Sequence, residues 1–451
     1  MMQNENDLAE AIARKDVEAI RDFMSRHDLI IDGNRIVPRT GESAANMKRL
    51  QDFWFQRQQA RKILLNSLYG ALLNEHLRFA DPRLGQSVTL TGRSIVRHMN
   101  AKANEAVTGE YNYLGKSITY ADTDSCYFTA LPLKDDPEWR ALLFSAFHEM
   151  EKSNPDLTTA DHIYDKFDFD NRNHMIRLYD DITDAIVNVS FPEFMATSFN
   201  TSLERGGIIK AGRELVASAG LFIKKKKYAV LMYDKEGTRY DLPKPGTNSP
   251  SPGKLKAMGL DLKRADTPKV MQDFLNQTLL KLLTNVSQEE IILDIRDFRT
   301  EFKASKSWEK GSPKAVKGLS KYRDKLTEAN EIGILSTASK KKGKVQMPGH
   351  VKASLNWNKL CDLNHDKYAM RITDGSRIVV CKLKSNALKM DSVAYPIDEP
   401  HIPSWFKELP FDDLAMEETI IDKKLTNLVG VLEWDLDQTK SHPSDDFFIF
   451  G

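Results

Sequence analysis

The chain has 451 residues, 41% of them hydrophobic and 29% charged, with a formal net charge of +1 at pH 7. That size and composition allow a substantial buried core and suggest two or three domains, while Cys126, Cys361 and Cys381 lack the paired spacing of a disulfide framework or zinc site, which fits a reducing, cytoplasmic compartment. No apolar run reaches the roughly 18 residues of a membrane helix, and the opening MMQNENDLAEAIARKD is acidic and polar where a signal peptide is basic and then apolar, so a soluble chain with no membrane partner is expected.

In chain order, Leu8, Ile12, Val17, Ile20 and Phe23 recur at helical spacing and predict a helix from about 5 to 28. IDGNRIVPRTGES interrupts it as a loop. A second helix is predicted from Ala44 through MKRLQDFWFQRQQARKILLNSLYGALLN, and two antiparallel helices joined by that loop are the simplest arrangement. Another helix is expected over about 86 to 108, followed by two short strands flanking the turn in SITYADTDSCYFTAL, residues 117 to 131. YAVLMYD and TRYDL around KEG predict a hairpin, and PKPGTNSPSPGK (243–254) an exposed insertion. TPKVMQDFLNQTLLKLLTN predicts a helix with Thr267 as its cap and Pro268 in its first turn, and the remainder reads as mixed but mostly helical.

Charge is uneven along the chain. Residues 301–360 carry 14 Lys and Arg against 5 Asp and Glu, and residues 398–451 carry 4 against 13. The first segment suggests a surface facing a polyanion, the second a solvated or partner-facing tail.

Asp122 and Asp124, one residue apart, read either as a polar turn whose repulsion solvent screens, or as carboxylates drawn together by a divalent cation such as Mg²⁺. Lys62, Asn66 and Tyr69 stand at i, i+4 and i+7, one helical face offering a cation, an amide and a ring, the groups that hold a triphosphate and support a base pair. Gly70 beside them leaves room for close packing. The lysine run from Lys224 to Lys227 leads into a strand, where alternation would send its side chains to both faces; beside Tyr228 it suits a phosphate backbone or an edge strand's protective charge. Glu204 is a further carboxylate candidate for a metal site, or surface charge.

SWEKGSPKAVKGLSKY (307–322), with Lys314, Lys317 and Tyr322, and KKKGKVQMPGHVKASLNWNKL (340–360) interleave lysine with glycine, proline and aromatics, as loops along a nucleic-acid backbone do. Trp308, Tyr322 and Trp357 speak against a disordered linker there. The final Phe447, Phe448, Ile449 and Phe450 suit a docking peptide or a segment folded back on the protein.

Together these segments resemble the family B, polymerase-alpha-like DNA polymerases, most closely those of large tailed phages. KILLNSLYG (62–70) is similar to the family's Lys-x-x-x-Asn-Ser-x-Tyr-Gly fingers helix. YADTDS (120–125) resembles the palm motif Tyr-Gly-Asp-Thr-Asp-Ser, with Ala121 for glycine, and KKKY (225–228) the Lys-Lys-Arg-Tyr motif, with Lys227 for arginine. EGTRY and KAMGLDLKRADTPKVMQ continue the likeness, which runs from about residue 45 to the end.

The resemblance implies an α+β, partial right-hand architecture: the second half of the fingers over 1–74, a palm with antiparallel sheet over 75–259, a mostly helical thumb over 260–440 and a clamp-binding tail over 441–451. It implies metal-ligand roles for Asp122 and Asp124 on two Mg²⁺ ions, contacts of Lys62, Asn66 and Tyr69 with dNTP and the nascent pair, and primer-template contacts for Lys225, Lys226, Lys227 and Tyr228. The tail Phe447 to Phe450 would bind a sliding clamp. The family's Asp-x-x-Ser-Leu-Tyr-Pro motif does not occur in the sequence. The expectation is therefore the C-terminal subunit of a split polymerase, whose N-terminal subunit carries the first palm Asp and the exonuclease. A fragment of one long polymerase, a clamp-tethered duplex-binding module and an independent nucleotidyltransferase are the alternatives.

Overall fold

A computed structural model describes residues 12, 16–27, 29–32, 35–38, 41–153, 163–243, 249–322 and 347–440. They divide into two compact units, 1–95 and 96–451.

In the first unit, helix α1 (Val17–Arg26) starts where the Asp16 carboxylate accepts the Ala19 N–H at 3.0 Å, and it buries Phe23. The predicted helix from about 5 to 28 is not continuous, because Asp16 is extended where it caps Val17; of the residues before Asp16 only Ile12 is described, and it is helical. What read as a plain loop is a hairpin: β1 (Leu29–Asp32) pairs antiparallel with β2 (Arg35–Pro38) in the register Ile30 to Val37. Ile30, Ile31, Ile36 and Val37 are β-branched and favour that pairing over the loop suggested by the Gly, Asn and Pro around them.

Helix α2 (Gly41–Leu72) is long, and its apolar side chains are exposed around much of its circumference: Trp54 by 59%, Ile63 by 63%, Leu64 by 69% and Leu68 by 61%. Helix α3 (Pro82–Thr108) begins four residues before the predicted start. Asp81 caps it by accepting the Arg83 N–H at 2.9 Å, and Pro82 occupies the first helical position, where a missing N–H costs nothing.

In the second unit the last turns of α3 bury Ala101, Ala103, Ala106 and Val107. From this helix the fully buried Asn104 accepts both the N–H (3.1 Å) and the hydroxyl (2.9 Å) of Ser117 and donates to the Glu110 carbonyl. A Cβ on Gly115 would lie 2.1 Å from the Asn104 amide, so only glycine lets the chain pass this close. Asn104 thereby anchors the start of β3 (Ile118–Asp122), which pairs antiparallel with β4 (Ser125–Phe128).

Beyond helices α4 (Pro137–Ser153), α5 (Arg172–Asp181) and α6 (Asn188–Phe199) lies a four-stranded antiparallel sheet. A π-helical segment, Ile182–Val187, joins α5 to α6 just before Pro192, which has no N–H to give the preceding turn. In the sheet β6 (Lys227–Lys235) pairs along its length with β5 (Leu215–Lys224) and on its other side with β7 (Thr238–Arg239) and β8 (Lys254–Met258). The predicted KEG hairpin is present, but its second strand is only Thr238–Arg239, after a turn with Glu236 and Gly237 both at positive φ. Lys254, expected at the end of the insertion, opens β8, and residues 244–248 lie outside the described residues.

Two cores follow. Ala229 and Leu231 of β6 pack with Met271, Leu275 and Leu279 of α7 (Lys269–Leu283) and Ile291 and Ile295 of α8 (Gln288–Ala304). Thr267 does not cap α7: its hydroxyl is buried without a hydrogen-bond partner, and Pro268 takes the cap position. The other core surrounds Trp357 of α9 (Gly349–Leu363) and Phe406, against a sheet of β9 (Ser312–Ala315), β10 (Arg377–Lys382) and β11 (Ser392–Pro396) in the order β11-β10-β9. The region is mixed and mostly helical, as expected, and this short three-stranded sheet is its strand part.

Two lysines of the basic segment are held inside the fold. Lys310 is buried and bonds Asp413 at 2.8 Å, a pairing of the basic segment with the acidic one inside the fold. Lys352 is buried and paired with Asp391, and Glu417 and Asp422 both bind the buried Arg299. Of the expected lysine-rich loop 340–360, residues 349–360 are helix α9 with most side chains buried, because its apolar positions fall on helical spacing once Pro348 starts the turn.

Candidate functional site

The carboxylates lie at the tip of the β3–β4 hairpin. Asp122 pairs with Ser125, leaving Thr123 and Asp124 as a two-residue turn with Thr123 at φ +54°. The Asp122 carbonyl accepts the Ser125 hydroxyl at 3.1 Å and the Asp124 N–H at 2.6 Å, which folds the turn tightly. Asp122 is largely buried, with 18% of its side chain exposed, and Asp124 is exposed. Ala121 sits in extended strand opposite Cys126, a backbone any residue adopts, so the family's glycine is not required there. Burial pushes the Cys126 thiol up to about 12, which removes it as a nucleophile.

Against this hairpin stands the lysine turn. Lys224 ends β5, Lys225 and Lys226 form the turn with Lys226 at φ +62°, and Lys227 opens β6. The expected alternation of the four lysines across a strand therefore fails, because two of them make the bend. The Lys225 ammonium lies 3.7 Å from Asp122 Oδ1, and the Lys226 N–H donates to the Tyr120 hydroxyl at 2.8 Å.

An aromatic cluster lies beneath both turns. The Tyr120 ring is 5.6 Å from Phe222 and 5.3 Å from Tyr228, and Tyr127 is 5.3 Å from each of the same two rings. Burial and the neighbouring Tyr228 push the Tyr127 hydroxyl well above its ordinary pKa, so it stays neutral. Sequence reasoning passed over Tyr120, Tyr127 and Phe222; the strand period in ITYAD, which puts Tyr120 on the same face as Asp122, was a signal for the first.

The other expected residues are dispersed. Lys62, Asn66 and Tyr69 share a face of α2 in the first unit, Lys62 and Asn66 exposed and Tyr69 half-buried; the space beside Gly70 is open. Glu204 is exposed in a helical turn, Leu203–Gly206, and is not gathered with Asp122 and Asp124: among the described residues no three His, Cys, Asp or Glu side chains form a metal-binding group. Lys314 is engaged with Asp266 at 2.8 Å, and Tyr322 packs half-buried against the Trp357 core, while Lys317 is exposed. Burial works against the Asp266 carboxylate, but Lys314, Lys424 and Arg264 hold its pKa below the ordinary value. Phe447, Phe448, Ile449 and Phe450 lie outside the described residues.

Chemically, Asp122 and Asp124 present hard carboxylate oxygens of the type Mg²⁺ takes, and Lys225 already holds a positive charge beside the first of them. The donor set fits part of such a site. Among the described residues no helix is long and apolar enough to cross a membrane.

Comparison with known proteins bears on the same segment. The family model for DNA polymerase family B matches residues 41–152, which include α2, α3 and the carboxylate hairpin. The DNA-directed DNA polymerase of Escherichia phage RB69 is 26% identical over 235 residues, covering 49% of this chain and 22% of the relative. That of Enterobacteria phage T4 is 25% identical over 281 residues, covering 59% and 27%. DNA polymerase 2 of Aeropyrum pernix is 37% identical over 83 residues, covering 18% and 9%. The matches with the two phage enzymes thus span about a quarter of each relative's length, and on these likenesses the chain is a relative of the family B DNA polymerases of phages.

Proposed function

We propose that this chain takes part in template-directed DNA synthesis as the C-terminal subunit of a split family B DNA polymerase, adding dNTPs to a primer 3′-hydroxyl. In this reading residues 1–74 supply the second half of the fingers, 75–259 most of the palm, 260–440 the thumb and 441–451 a sliding-clamp tail. The observation that carries it is the meeting of two motifs about a hundred positions apart, at Lys225 to Asp122 (3.7 Å) and Lys226 to Tyr120 (2.8 Å). Carboxylates and a lysine turn side by side are what a primer terminus requires: one group of residues for the reacting phosphate, another for the backbone leading to it.

Asp122 and Asp124 would hold Mg²⁺. When bound, the ions supply Lewis-acid stabilisation of phosphoryl oxygens and a more acidic attacking hydroxyl. Lys225, Lys226, Lys227 and Tyr228 would hold the primer-template duplex, with Lys317 as a further exposed contact. Lys62 would bind the triphosphate, Asn66 order that pocket and Tyr69 support the nascent pair.

One observation supports a second polypeptide. Ile63, Leu64, Leu65 and Leu68 of α2 are each more than 60% exposed, which is costly for a helix meant to face water alone. The partner would carry the first palm Asp and the exonuclease, pack a fingers helix on α2, and act with this chain in the cytoplasm. The test is primer extension with Mg²⁺ by this chain mixed with a candidate partner. Extension should need both chains, and normal extension by the Asp124→Asn complex would sink the catalytic assignment.

A further inference from the structure

The lysine turn is held from two sides by residues with no charge. On one side the Tyr120 hydroxyl accepts the Lys226 N–H at 2.8 Å. On the other side Gly259, immediately after β8, lies against the Lys226 carbonyl: a Cβ built there would fall 2.0 Å from that oxygen and 3.3 Å from Lys227 Cγ. Gly259 also sits at φ +64°, where a side chain is strained in any case. Lys226 itself is a non-glycine residue at φ +62°, so the turn needs outside support to hold its shape. The register of β8 on β6, Met258 opposite Tyr228, brings Gly259 to that carbonyl.

From this geometry we infer that Tyr120 and Gly259 are positioning residues for primer-template binding, clamping the Lys225–Lys226 turn in one orientation beside Asp122. The inference rests on the polymerase reading for the identity of its ligand, duplex DNA. Tyr120 acts through the backbone of Lys226, and its ring stays packed on Phe222 and Tyr228 whether or not the hydroxyl is present. The hydroxyl is thus separable from the packing, which makes the role testable without dismantling the cluster. Gly259 follows the end of β8, so the register of β8 on β6 decides what stands against the lysine turn.

The experiment measures affinity of the full chain for a fluorescent primer-template duplex over a range of salt concentrations, with circular dichroism to confirm folding. Tyr120→Phe should weaken binding roughly 3- to 10-fold, the worth of one hydrogen bond, and Gly259→Ala should weaken it more. In the Lys225→Ala/Lys226→Ala background, Tyr120→Phe should have no further effect, because the groups it orients are gone. An equal loss in both backgrounds, or wild-type affinity in Tyr120→Phe and Gly259→Ala, would overturn the clamp. Unchanged binding in Lys225→Ala/Lys226→Ala itself would instead overturn the DNA-binding role of the turn, and with it that part of the polymerase reading.

Discussion

Lys225 Nζ stands 3.7 Å from Asp122 Oδ1, a bridge between the tips of two hairpins that are far apart in sequence. The lysine side chain is 77% exposed, so as a stabilising ion pair it contributes little, well under about 1 kcal/mol. Under the proposed function its place in the lysine turn, beside a carboxylate, makes it a contact for the primer-template duplex. Lys225→Ala should leave the thermal unfolding midpoint unchanged while lowering affinity for duplex DNA and reducing the slope of log K against log salt by about one. Titrations at several salt concentrations check both outcomes; an unchanged slope would remove Lys225 from the interface.

His98 provides a pH prediction. It is buried, its ring stacked 4.0 Å from Phe194, with Nε2 2.8 Å from Ser190 Oγ and Nδ1 2.8 Å from the Tyr111 hydroxyl. Ser190 donates its own proton to the Val187 carbonyl, so it accepts from His98 Nε2–H and leaves Nδ1 to accept from Tyr111. Burial, helped by the charge of Lys102, lowers the pKa from 6.5 to about 4. The unfolded chain therefore binds the proton first as pH falls, and the stability held by neutral His98 is complete above 6.5 and lost on descending to 4. Urea midpoints should decline over that window by a stability on the order of 2 kcal/mol, and His98→Gln should flatten the decline.

Arg299 is a stability prediction without a functional part. Its guanidinium is 2% exposed and reaches Thr439 Oγ1 at 3.0 Å, Glu417 at 2.8 Å and Asp422, fastening α8 to two later segments. Arg299→Ala leaves the buried Glu417 without its charge partner and should destabilise by about 3 to 5 kcal/mol. Arg299→Lys keeps the charge but not the planar fork, and should fall between. Fluorescence-monitored urea unfolding distinguishes the three proteins.

The exposed apolar side chains of α2 predict behaviour in solution. Leu64 and Leu68 are 69% and 61% exposed. Leu64→Lys with Leu68→Lys should reduce concentration-dependent self-association in sedimentation velocity and leave stability within about 0.5 kcal/mol, as surface changes do. The same pair should weaken assembly with a partner polypeptide. A marked loss of stability would mean that these side chains are buried in solution.

Much of the site was legible from short-range rules. Strand alternation and turn residues put Asp122 and Asp124 at the end of a hairpin, and helical spacing put Lys62, Asn66 and Tyr69 on one face. The lysine run misled because a strand pattern cannot say where the chain bends; Lys225 and Lys226 turn since β5 and β6 pair along their lengths. The charge counts conceal two buried lysines for a related reason. Lys310 and Lys352 count as basic in any window of sequence, but their partners Asp413 and Asp391 lie 103 and 39 residues away.

Periodicity, turn chemistry and residue type act over a few positions, so the helices, the carboxylate hairpin and the family likeness could be read directly along the chain. The meeting of Tyr120 with Lys226, the passage of Gly259 against the Lys226 carbonyl and the burial of Arg299 between acidic partners could not. Those depend on sheet register and close packing between distant segments, where a shift of one residue would put different atoms in contact.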